Sequence, residues 1–175
     1  MATSESGFAA GVLASWNQVI GQVDKGLAGW SDEALQTEVA PGRNRLYYLL
    51  GHLTAVHDRM LPLLRLGDRL HPGLDQQFLT EADRAFAGEG PTAAELRKAW
   101  AEVNAKLTAA LAQLSGAELM ERHGSISEED FAKEPHRNRL AVVLSRTTHA
   151  AMHEGQMRLV KPAKWERYLA HLNNS

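Results

Sequence analysis

The segment His149-Ala150-Ala151-Met152-His153 places two imidazoles four residues apart. On an α-helix this spacing puts both rings on one face, a turn apart, so one divalent ion can take a nitrogen from each. The chain has no cysteine. That excludes disulfides, cysteine-ligated zinc, iron–sulfur clusters and any thiol nucleophile of the protein's own, and leaves imidazole and carboxylate as metal donors. Gly155 follows within the same segment. A glycine costs about 1 kcal/mol in a helix interior, so it predicts close approach of a neighbouring helix or a ligand. A metal also needs a donor from another element, and His52 and His57 share one apolar-periodic segment. On a helical wheel His57 falls near the middle of the apolar stripe, beside Leu46 and Leu64, and His52 on its flank, beside Val56 and Leu63. Periodicity prefers His57 as the buried one and leaves both open as the third ligand.

Other residues around this constellation have two readings each. Gln156 is placed to hydrogen-bond a ligand histidine or a bound water, or to bridge a helix–helix contact. Arg146, one turn before His149, suits an anionic substrate or an ordinary surface pair. His57 is pocket-lining or a buried structural histidine. His71, His123, His136 and His171 fall in loops or the tail and are expected to face solvent. Trp16, Trp30, Trp100 and Trp165 suit core or interface packing, and Arg158, Lys161, Lys164 and Arg167 suit a solvated face near a helix C-terminus.

The elements that must position these residues are helical. No segment alternates β-branched and polar residues, and apolar positions recur at spacings of three and four. The spacing predicts a first helix over Phe8 to Leu27, a short capped turn at Ser31–Leu35, and a second helix over Asn44 to Leu66, with Pro62 disturbing its last turn. Gly67 to Pro91 reads as a long crossover with a turn of helix near Gln76–Phe86. The capping box Thr92-Ala93-Ala94-Glu95 opens a third helix carrying Leu96 to Leu114. A fourth follows Pro135-His136 and runs to Val160, and a tail helix covers Trp165–Leu172. Pro41-Gly42-Arg43-Asn44-Arg45-Leu46 and Pro135-His136-Arg137-Asn138-Arg139-Leu140 repeat one another, each opening a helix, which points to a pseudo-twofold four-helix bundle.

Composition bounds the function. A chain of 175 residues, 44% hydrophobic and 23% charged, suits a single domain over 1–175 with one sizeable core. Nineteen basic against 21 acidic residues give a net charge of −2, which argues against nucleic-acid binding. Apolar runs fall well short of the ~18 residues of a membrane span. With no basic and apolar leader at the N-terminus, a cytoplasmic location is expected.

Gly51-His52-Leu53 on the second helix, with His149-x-x-x-His153-x-Gly155-Gln156 on the fourth, resembles the DinB/YfiT-like superfamily. The resemblance extends to helix order, to the Leu-Ser-x-x-Glu-Leu-like turn and to the long link between helices two and three. It implies an all-α four-helix bundle with a crossover between helices 2 and 3, and a divalent metal, zinc or nickel, on His52, His149 and His153. It thus selects His52 over His57. It further implies a small-molecule substrate, a homodimer, and an S-transferase using a low-molecular-weight thiol, or a hydrolase. The other class of function is a non-catalytic, metal-binding or stress-related bundle. Two positions depart from relatives: Glu154 where a basic residue is frequent, and His57 where an acidic one is. Both bear on pocket charge and hence on substrate.

Overall fold

The computed structural model describes residues 2–160. Four long helices dominate: α1 (Ala2–Ala28), α2 (Leu46–Leu63), α3 (Ala93–Leu111) and α6 (Arg139–Met157), with short α4 (Gly116–Leu119) and α5 (Glu128–Lys133) between the last two. Each of α1 and α2 packs against both α3 and α6. The four therefore close a ring in which α1 is diagonal to α2 and α3 diagonal to α6, the four-helix arrangement the apolar spacing implied. Among the described residues there is no strand, only the isolated bridges Glu38–Arg45 and Arg122–Asn138. No described helix is long and apolar enough to cross a membrane.

The apolar stripes meet in one core. Trp16 and Val23 of α1, Leu46, Leu50 and Leu53 of α2, Leu96, Val103 and Leu107 of α3, and Val143 of α6 are fully buried. Their removal from water is the main force holding the helices together. Two core tryptophans pair their ring N–H groups: Trp16 Nε1 donates to Thr108 Oγ1 at 3.0 Å, and Trp100 Nε1 to Asp24 Oδ1 at 2.6 Å.

The starts of α3 and α6 follow their caps. The Thr92–Glu95 box is formed in both directions, and Asn138 caps α6 by accepting from the Ala141 amide at 2.9 Å. Helix α1 begins earlier than its first apolar residue, and α2 is shorter at both ends than the periodicity predicts, ending one residue after Pro62. The crossover holds a 3-10 turn at Pro72–Leu74 and a five-residue π-turn at Gln76–Thr80. Helices α4 and α5 have too few residues for a period to register. Their signals are the caps Ser115 (paired with Glu118) and Ser127. The expected tail helix, with Trp165, His171 and most of the basic face, lies outside the described residues.

The two repeat copies each open a helix, α2 and α6, and these two helices are neighbours. That adjacency brings the histidines of one copy to those of the other.

Candidate metal centre

Helix α6 presents His149 and His153 on one face, with Nε2 atoms 3.0 Å apart, and α2 brings His52 Nε2 to 3.3 Å from His149 Nε2. All three rings offer a nitrogen within 4.8 Å of the other two. Metal–nitrogen bonds of about 2.0–2.1 Å at tetrahedral or octahedral angles separate donor atoms by roughly 2.8–3.4 Å. The donor set and its spacing fit one divalent ion.

The tautomers fit as well. His52 Nδ1 lies 2.9 Å from the Phe78 carbonyl oxygen, which only accepts, so Nδ1 carries the proton and Nε2 presents a bare lone pair. Phe78 sits inside the π-turn, where a five-residue helix leaves most carbonyls without an internal partner. Its carbonyl is thus free for the imidazole. His153 Nδ1 donates to Gln156 Oε1 at 2.8 Å, turning its own Nε2 the same way. Backbone and amide partners of this kind orient metal-binding histidines. His149 Nδ1 is buried without a partner.

Gly51 explains why a glycine precedes His52. The Phe78 ring lies against its Cα, and a Cβ there would overlap three ring carbons. Phe78 is fully buried, with ring centroids 5.7 Å from Tyr47 and 5.8 Å from Tyr48. Tyr48 Oη also donates to the Glu81 carbonyl at 2.7 Å, tying α2 to the crossover. Sequence reasoning missed Phe78, because its contribution is a backbone oxygen that no residue type advertises.

Burial lowers the pKa of His149 to about 4, helped by His153, His52 and Arg146. Burial lowers that of His153 as well, with Gln156 opposing and His52 adding to the shift. Both rings are neutral at pH 7, the form that binds metal.

His57 is buried, as periodicity predicts, and stands apart from the three-histidine group. Its ring lies between Trp16 and Trp100, with centroids 5.0 and 5.2 Å away, and its Nδ1 donates to Asn104 Oδ1 at 2.8 Å. Asn104 Nδ2 donates to the Trp100 carbonyl at 2.8 Å, which fixes the amide orientation. Burial lowers the His57 pKa to about 4, opposed by Asn104 and reinforced by His149, Arg146 and His52. The unfolded chain takes up this proton near pH 6.5, above the folded value. The neutral ring therefore contributes stability that is complete above pH 6.5 and is lost as pH falls toward 4, by roughly 3 kcal/mol in total. Urea midpoints of the metal-free protein should fall across that window, and His57→Phe should make the fall shallower. An unchanged slope would show that this ring does not carry the effect.

The remaining candidates divide. Gln156 joins the cluster, through His153. Glu154 turns away: it is buried beside Val23, Trp30 and Met157 and pairs with Arg158. Arg146 is half-buried and holds no carboxylate among the described residues. Gly155 corrects an expectation, since it is exposed and an added Cβ would meet nothing. No contact among the described residues requires it. Of the loop histidines, His136 is exposed, while His71 and His123 are half-buried, His71 against Glu102 at 3.0 Å.

A helical bundle whose two neighbouring helices converge three imidazoles on one point defines the class of this protein. The chain belongs to the DinB superfamily, whose family model matches residues 15–157. A solved structure supports the same fold. A conserved protein from Enterococcus faecalis is 19% identical and superposes with a TM-score of 0.60, covering 85% of this chain and 94% of that one. No curated protein matches the chain.

Proposed function

We propose that the protein is a divalent-metal-dependent enzyme in which His52, His149 and His153 hold zinc or nickel and a low-molecular-weight thiol is the co-substrate of an S-transfer reaction. The observation that carries the metal reading is the convergence of three Nε2 atoms, with the His52 tautomer set by the Phe78 carbonyl. Three protein donors leave coordination positions for a substrate, as catalytic sites do and structural ones do not. Bound there, the ion would supply Lewis acidity toward the sulfur of a thiol or the oxygen of a water.

The chain's own residues do the rest. Phe78 and Gln156 hold two rings with their lone pairs inward. A pocket of about 510 Å³ opens beside His153 and Gln156, walled by Val39 and Leu159, and gives a small molecule room next to His153. The absence of cysteine fits a scheme in which the thiol comes from a cofactor. Hydrolysis is the second reaction this site suits. The test is spectroscopic: cobalt-loaded protein titrated with a low-molecular-weight thiol should gain a sulfur-to-cobalt charge-transfer band. A spectrum unchanged by thiol would turn the assignment to hydrolysis.

We further propose one domain, a cytoplasmic location and a homodimer. The outward face of α6 from Ala141 to Gly155 carries no charged residue, and Leu144, Met152 and, beyond the helix, Leu159 are 49%, 52% and 65% exposed. A charge-free apolar face of this kind is suited to pairing. Sedimentation at tens of micromolar should give the dimer mass, and a monomer at those concentrations would refute the pairing.

A further inference from the structure

Arg43 stands on the wall of the pocket that holds His153 and Gln156. The turn that carries it is rigid. Pro41 and Gly42 occupy its central positions, Gly42 with φ +71, and the Arg43 amide donates to the Ala40 carbonyl at 2.9 Å, the pattern of a type II turn. Glu38 braces it by accepting from the Gly42 amide at 2.9 Å while also holding Arg84. The Val39 amide donates to the Asn44 carbonyl at 3.0 Å.

Arg43 and Arg146 are the arginines without a carboxylate partner among the described residues; every other described arginine has one. These two flank the cluster, Arg43 beside His153 and Arg146 one turn before His149. The internal repeat supplies a comparison. Arg137, the counterpart of Arg43, pairs with Glu134 at 3.0 Å, and the position corresponding to Glu134 in the first copy is Ala40. The copy beside the histidines lacks the carboxylate that its counterpart has.

Charge points the same way. Imidazole ligands bring no negative charge to a divalent ion, and no acidic residue lines this pocket. A cationic, partly apolar cleft with an exposed guanidinium on its wall, without a carboxylate partner among the described residues, suits an anion, and arginine's planar fork matches a carboxylate.

Resting on the metal reading above, we propose that the small-molecule substrate carries a carboxylate held by Arg43 while its reacting end faces His52, His149 and His153. The geometry makes Arg43 a substrate-binding residue and Arg137 its structural counterpart.

The test uses zinc-loaded full-length protein titrated with succinate and with propionate, following side-chain nitrogen resonances by NMR. Succinate should bind roughly tenfold tighter, as one added charge-assisted pair predicts, and should shift Arg43 Nε together with the His153 ring. Arg43→Gln should reduce succinate to the propionate level, whereas Arg137→Gln should keep the preference. Equal affinity for the two acids, or a preference that survives Arg43→Gln, overturns the carboxylate site while leaving the metal reading standing. Protein that takes up no zinc before any acid is added overturns the metal reading, and this proposal with it.

Discussion

His153→Ala protein is expected to emerge from purification folded and free of metal. The substitution removes one of three convergent nitrogens and with it the partner of Gln156. Two imidazoles cannot hold a divalent ion against water as three do, so affinity should fall by more than the roughly 10–100-fold that losing an outer partner costs. His52→Ala and His149→Ala should behave alike, because each leaves two donors. The informative control is His57→Ala. That ring lies between Trp16 and Trp100 and donates to Asn104, away from the cluster. Its loss should lower stability through a buried cavity, by about 1–3 kcal/mol, and leave metal stoichiometry intact. Metal content by mass spectrometry and thermal unfolding on the same samples separate the two effects. Loss of metal in His57→Ala with retention in His52→Ala would reassign the third donor.

Gly51→Ala should impair the site without touching a donor. The added methyl collides with the Phe78 ring, which is fully buried against Tyr47 and Tyr48 and has no free direction in which to swing. Overpacking of this kind costs about 1–3 kcal/mol. Relief by displacement of the π-turn would carry the Phe78 carbonyl away from His52 Nδ1, releasing the ring to its other tautomer. The expected result is a lower melting temperature together with a roughly 10–100-fold weaker metal affinity. Phe78→Leu in the Gly51→Ala background should recover much of both, since it makes room while keeping the carbonyl. Wild-type affinity in Gly51→Ala would show that the Phe78 contact does not support His52.

Helical periodicity made the four long helices legible, and the i, i+4 spacing made His149 and His153 a pair. The same periodicity placed His57 correctly in the core. It reports burial, however, and burial does not say which ring meets another helix at the right height. His52, on the flank of the stripe, faces the seam between α2 and α6, and that seam follows from helix adjacency. The Phe78 carbonyl was hidden because it is backbone, exposed to the site by a π-turn with no sequence period. Gly51 and Gly155 show the limit of reading glycines: one lies under a ring, the other faces open space. Arg43 was visible only as half of a repeat. Its meaning came from the pairing that Arg137 has and it lacks.

Three histidines of neighbouring helices are proposed to hold one divalent ion. X-ray absorption on protein produced without a histidine tag, with metal content measured on the same sample, tests it most directly. One equivalent of zinc or nickel with three imidazole nitrogens at about 2.0–2.1 Å is the expected result. Full metal retention by the His149→Ala/His153→Ala double variant, or a metal shell without imidazole scattering, would contradict it.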